Sequence, residues 1–128
     1  MKPDIIPINN NNRRIVADLL YERSRTLKSY TEWKYRSENG DRFTGVIAMI
    51  NGKPIGCFGS IPRKFKFSDG TIKNCGWFAD WYVSPDARGM KIGELLLNTL
   101  SDYEPIMFGH PGPKLAQNIC IKNGYKQI

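Results

Sequence analysis

The residues best suited to chemistry lie together in Trp81-Tyr82-Val83-Ser84-Pro85-Asp86-Ala87-Arg88-Gly89-Met90-Lys91-Ile92-Gly93, followed directly by Glu94-Leu95-Leu96-Leu97. The pattern predicts a strand, a glycine-bearing turn and an amphipathic helix in succession. Such a turn presents unpaired N–H groups at a helix N-terminus, where the helix dipole is positive, and Gly89 and Gly93 remove side chains that would block close approach. Arg88 and Lys91 add full positive charges, so a pyrophosphate fits there by geometry and charge together. The same residues also suit a plain strand-to-helix connection, in which Pro85 stops the strand and the glycines allow tight packing. The Walker pattern GxxxxGK followed by Ser or Thr is absent, as is a complete GxGxxG, which weakens ATP and NAD as ligands.

The elements that must hold this segment can be read from periodicity. Residues 1–12 contain Pro3, Pro7 and the run Asn9 to Asn12 and read as a loosely ordered arm. Ile15, Val16, Leu19, Leu20 and Leu27 recur at helical spacing and predict an amphipathic helix from Arg13 to about Leu27. Tyr30 to Arg36 shows no clear period, and Glu38-Asn39-Gly40-Asp41 is a turn cluster. Strands are predicted at Phe43 to Ile50 and Lys53 to Gly59 around Asn51-Gly52, the dipeptide that best tolerates two positive φ values. Phe65 and Phe67 alternate with Lys64 and Lys66, and Asp69-Gly70 turns the chain into a long strand from Thr71 to Val83. A helix from about Arg88 to Tyr103, a short strand Ile106 to Phe108 and a helix from Lys114 to Lys122 ending at Gly124 complete the reading; Tyr125 to Ile128 could begin a further strand. A meander followed by a βαβα half gives an α/β or α+β fold, a mixed sheet with helices on both faces.

Length and composition set the bounds. At 128 residues and 41% hydrophobic content the chain fits one packed domain, 1–128. Its longest apolar runs fall far below the ~18 residues of a membrane span, and no signal-peptide h-region is present at the N-terminus. Cys57, Cys75 and Cys120 form no CxxC pair and cannot all pair internally, which favours a cytoplasmic location. With His110 the only histidine, the usual zinc ligand sets cannot be assembled, so no metal is expected. The net charge of +7 calls for an anionic partner: a phosphorylated cofactor, nucleic acid or a membrane surface.

Val83-x-Pro85-x-x-Arg88-Gly89-x-Lys91-Ile92-Gly93-x-x-Leu96-Leu97 resembles the acyl-CoA signature of the GNAT superfamily of N-acyltransferases, a strand, an Arg/Gln-x-x-Gly-x-Gly/Ala turn and a helix. Arg88 and the final glycine, Gly93, are kept, while Lys91 stands where that pattern has its first glycine. Gly109-His110-Pro111-Gly112 and Ala116-x-x-x-Cys120-x-x-x-Gly124-Tyr125 resemble the superfamily's later segment. Glu32-Trp33-Lys34-Tyr35, Ile61-Pro62-Arg63-Lys64-Phe65 and Gly109-x-Pro111 are similar to a subgroup associated with polysaccharide biosynthesis. Members of that subgroup continue past the Gly-Tyr element, so the chain looks like a shortened version or a fragment whose last strands are missing or incomplete.

The resemblance implies a GNAT-like, mostly antiparallel twisted sheet and an acyl-CoA-dependent N-acyltransferase. An acetyl or other short acyl group would pass from acetyl-CoA, or another acyl-CoA, to a small amine such as an amino sugar, by direct attack in a ternary complex. It implies cofactor contacts from Tyr82 and Val83 on a splayed strand and from Arg88, Gly89, Met90, Lys91, Ile92 and Gly93 in the turn. Three candidate proton carriers stand beside these contacts. Asp80 is the carboxylate nearest the expected acyl position, and an exposed ion-paired acid is its plainer role. His110 follows the next strand and suits proton transfer near neutral pH, though a lone histidine also serves structure. Cys120 replaces the tyrosine that commonly acts as general acid, and a buried thiol in helix packing accounts for it equally. Trp77 and Trp81 read as core or cleft wall. A homodimer is left open. Two other functions stand beside transfer: a non-catalytic acyl-CoA-binding or regulatory module, and a basic nucleic-acid-binding domain using Arg13, Arg14, Arg63, Lys64 and Lys66, which lacks RNP-like or zinc-finger patterns.

Overall fold

A computed structural model describes residues 2–37, 44–110 and 112–127. Five strands, β1 (Asp4–Pro7), β2 (Gly45–Ile50), β3 (Lys53–Lys66), β4 (Ile72–Val83) and β5 (Met107–Phe108), lie in the order β1-β2-β3-β4-β5. All neighbours are antiparallel except β4 and β5, which are parallel. Helices α1 (Arg13–Ser24) and α2 (Lys28–Lys34) precede β2, α3 (Ile92–Tyr103) joins β4 to β5, and α4 (Lys114–Lys122) follows. The expected mixed, mostly antiparallel sheet with helices on both faces is the observed fold.

Alternation along the strands builds two cores. Val46, Ala48 and Phe58 point to one face, where Ile92, Leu96, Leu97 and Leu100 of α3 cover them. Ile47, Cys57 and Tyr82 point to the other, where Val16, Leu19 and Leu20 of α1 and Tyr35 after α2 close over them. The Asn51-Gly52 turn behaves as its residue types require, with φ of 51° and 76°.

Five expectations are corrected. The N-terminal stretch is tied down rather than loose: Asp4–Pro7 pairs with Val46–Met49, and Ile8 is fully buried. Its asparagines form a turn, with Asn12 Nδ2 donating to Pro7 O at 2.9 Å. The first helix stops at Ser24 instead of Leu27, because Arg25 takes a left-handed conformation and Leu27, 70% exposed, has no sheet to cover. Tyr30–Lys34, which showed no period, belongs to α2. The helix of the glycine-bearing segment begins at Ile92 rather than Arg88, after a short 3₁₀ turn at Pro85–Ala87. Beyond α4, Tyr125 to Gln127 form no strand; the Tyr125 N–H donates to Cys120 O and its hydroxyl meets Ser101 Oγ at 2.6 Å. Phe43, the turn cluster 38–41 and Pro111 lie outside the described residues.

Candidate active site

β4 is the axis of the site. It pairs with β5 only at Gly76↔Met107 and Trp77↔Phe108, so from Phe78 to Val83 its far edge has no strand partner among the described residues. Its near edge carries an irregularity: Cys57 pairs with Tyr82 and Gly59 with Ala79, so Asp80 and Trp81 together face Phe58. This β-bulge puts Asp80 at φ 53° and reverses the inward–outward parity of the strand. Phe78, Trp81 and Val83 pack on the α3 side, while Tyr82 packs on the α1 side.

At the end of β4 the chain passes through Arg88, Gly89, Met90 and Lys91, all exposed, into α3. No protein acceptor among the described residues takes the N–H of any residue from Gly89 to Glu94, and α3 has no side-chain cap. Gly89 has φ 87° and open space around it. Lys91, in the place of the pattern's glycine, adopts the glycine-like φ 58° and ψ 27°. Arg88 Nε donates to Val83 O at 3.2 Å, anchoring the guanidinium beside the turn. Trp81 stacks on Phe58, with ring centroids 4.5 Å apart, and its Nε1 donates to Gly93 O at 3.1 Å, fixing the start of α3 to the bulge. The one acid of the first turn, Glu94, is drawn away by Lys122 at 3.2 Å and by Asn123. Hydrogen bonds from Asn123 and Lys122 hold its carboxyl below the usual range. The corner is therefore a row of free donors beside two cations, and it fits a diphosphate.

Two cavities flank β4 among the described residues, and Phe78 lines both. The smaller, about 280 Å³, lies between β5, α4 and the C-terminal residues and is lined by His110 and Cys120. Cys120 is 5% exposed, and burial raises its thiol, which is therefore protonated at neutral pH. The larger, about 1030 Å³, is an open cleft between α2 and the outer half of β3 and β4.

Asp80 lines neither cavity. Its carboxylate accepts from Lys34 Nζ at 2.8 Å and Tyr35 OH at 2.7 Å, and meets Arg23 Nη2 at 3.3 Å. Burial would raise this carboxyl, but the hydrogen bonds from Lys34 and Tyr35 and the charges of Lys34 and Arg23 outweigh it and hold the group below its ordinary value. A carboxylate so engaged makes a weak base. Its position assigns it instead to fixing the bulge against α1 and α2. Tyr35 is fully buried, and burial followed by the Asp80 charge raises its phenol well above the usual range. Its ring lies directly over Gly59, where any Cβ would collide with it.

The structure thus brings together Tyr82, Val83, Arg88, Gly89, Met90, Lys91, Ile92 and Gly93 at one end of β4, and His110 with Cys120 in one cavity. Asp80 lies outside both cavities, on the α1 side of β4 with Tyr82. Arg13 and Arg14 turn to Glu32 of α2, with Arg13 Nη1 donating to Glu32 O at 3.0 Å, while Lys66 and Arg63 lie on β3, which divides the proposed nucleic-acid footprint. The Arg23–Lys34–Tyr35 network was not foreseen, because its members are 57, 46 and 45 residues from Asp80. Among the described residues there is no cluster of metal-ligating side chains, and no helix is long and apolar enough to cross a membrane.

Residues 12–104 match the family model described as the acetyltransferase (GNAT) family. Among solved structures, the chain is similar to AAC(6')-Iy in complex with a bisubstrate analogue, at 14% identity and TM-score 0.76, covering 99% of this chain and 92% of that one. It is similar to a ribosomal-protein-alanine N-acetyltransferase from Brucella melitensis, at 17% identity and TM-score 0.71, covering 100% and 94%. A predicted acetyltransferase from Clostridium acetobutylicum, solved with acetyl-CoA, aligns at 13% identity and TM-score 0.72 over 98% and 91%. No curated protein matches the sequence.

Proposed function

The chain belongs to the acetyltransferase (GNAT) family, and on that premise we propose that it is an acyl-CoA-dependent N-acyltransferase acting on a small amine. The observation that carries the reading is the run of unpaired N–H groups from Gly89 to Glu94, opening directly off a β4 edge that β5 leaves free. When bound, acetyl-CoA supplies the acyl group as a thioester. The backbone donors of 89–94, with Arg88 and Lys91, hold the diphosphate. The free edge at Phe78 to Val83 offers backbone groups to the amide-rich arm, and Tyr82 and Val83 keep that edge in place from the two cores.

The amine enters from the larger cleft and meets the acyl carbon near Phe78, the residue that lines both cavities. As the C–N bond forms and the C–S bond breaks, one proton must leave the amine and one must reach the sulfur. His110, which lines the smaller cavity beside the buried Cys120, is the residue placed to exchange a proton with the departing sulfur. Asp80 acts as a positioning residue. The segments similar to the polysaccharide-associated subgroup favour an amino sugar as acceptor.

Calorimetric titration of the full chain with acetyl-CoA and with CoA, combined with thiol release over a panel of amines, tests the reading. Micromolar binding with amine-dependent thiol release is expected. Binding without release on any amine favours the non-catalytic module, and no binding removes the proposal.

A further inference from the structure

Among the described residues, the larger cleft has a one-sided charge. Four basic residues line it, Lys34, Arg36, Arg63 and Lys64, and no carboxylate does so among the described residues. Lys34 is committed to Asp80. The other three have no carboxylate within ion-pairing distance among the described residues; Arg63 donates to Pro62 O, and Arg36 sits 5.8 Å from the centre of the Trp33 ring. Trp33 and Trp77, 56% and 43% exposed, and Tyr30 give the cleft flat aromatic walls.

Aromatic faces of this size, left in water beside guanidinium groups that have no carboxylate partner among the described residues, suit a ring that also carries negative charge: the ring stacks and the anion takes the donors. A polycationic amine meets the opposite situation, because its ammonium groups would approach like charge with no compensating carboxylate among the described lining residues. We propose that the acceptor taken by this cleft is an amine bearing a phosphate or carboxylate group. The inference depends on the acyl-transfer reading only for calling the ligand an amine; the preference for an anion depends on the cleft itself.

Calorimetric titration of the full chain without acetyl-CoA, using matched probes, reads this preference. Glucosamine 6-phosphate is compared with glucosamine, and phenylalanine with phenethylamine, so that each pair differs only in its anionic group. At least one anionic member is expected to bind about 10-fold or more tightly than its neutral counterpart, and which one does so identifies the anion. The gap should narrow between about 50 mM and about 500 mM salt. Arg63→Glu should abolish it, with Lys64→Glu as the second variant if the first fails to fold. Equal affinities within both pairs, no binding by either anionic probe, or tighter binding of kanamycin, a polycation, would overturn the inference. Thiol release with acetyl-CoA separates the two readings. Anion-selective binding without release leaves this inference standing and removes transfer, whereas release without anion preference does the reverse.

Discussion

Replacing Lys91 by glycine should move stability and cofactor binding in opposite directions. Lys91 occupies the left-handed region at φ 58°, where a side chain costs about 1–2 kcal/mol. Glycine removes that cost but loses more chain entropy on folding, by roughly 0.5–1 kcal/mol, which leaves a net gain of about 0.5–1 kcal/mol. For a chain of 128 residues that corresponds to a rise in Tm of about 2–5 °C. The same substitution deletes an exposed cation beside the free donors of α3; a screened contact of this kind contributes about 0.2–1 kcal/mol, so CoA binding should weaken about 1.4- to 5-fold. Thermal unfolding followed by circular dichroism gives the first quantity and calorimetric titration the second. Lys91→Ala is the control, since it loses the charge and keeps the backbone strain: it should weaken binding equally without raising Tm. If Lys91→Gly and Lys91→Ala have the same Tm, the strain assigned to Lys91 is wrong. If both bind CoA as tightly as the parent even at low salt, the ammonium lies away from the diphosphate.

Asp80→Asn should lower stability at neutral pH by about 1–3 kcal/mol, because Lys34 and Arg23 then lose a half-buried anion. The Asp80 carboxyl is depressed in the folded protein, so its contribution is fully present above its unfolded value of about 4 and is lost as pH falls through the lower folded value. Denaturant curves of parent and variant should therefore differ by a constant amount at neutral pH and converge in acid; a constant difference down to pH values near 2 would contradict the assignment. Gly59→Ala should cost roughly 1–3 kcal/mol by displacing Tyr35, with Asp80 losing a donor as a consequence, measurable as a lower midpoint in urea. His110→Ala should reduce kcat about 10-fold or more with little change in KM, while Cys120→Ala keeps kcat within about 3-fold, as packing alone predicts; the reverse ranking would make the thiol the proton donor.

What the sequence disclosed depended on how local the determining forces are. Asn51-Gly52 announces its turn because two adjacent residues must take positive φ, and they do. The glycine-bearing turn and α3 were legible for the same reason, since Gly89, Gly93 and the Leu96, Leu97, Leu100 stripe act within a few residues of one another. β1 was not legible, because four residues ending in proline gain a strand only through their partners at Val46–Met49. Nor was α2, a seven-residue helix without a side-chain cap that is held at its C-terminal end: Lys34 and Tyr35 are fastened to Asp80, and Thr44 Oγ1 donates to Tyr35 O. Asp80 itself suggested a base because it is an acid on the right strand, and nothing near it in sequence reveals the cations that occupy it.

The bulge is where these non-local contacts acquire functional meaning. An unbulged β4 would send Phe78, Asp80 and Tyr82 to one face. The extra residue instead sends Phe78 and Trp81 toward α3 and Asp80 and Tyr82 toward α1. On one face Trp81 can then fasten the start of α3 through Gly93 O, and on the other Asp80 can fasten α1 and α2. A single backbone distortion thereby fixes the donor-rich corner relative to α2, whose Trp33 and Lys34 wall the larger cleft. The carboxylate closest to the expected chemistry is thus engaged structurally: its partners Arg23, Lys34 and Tyr35 tie the bulge to α1 and α2.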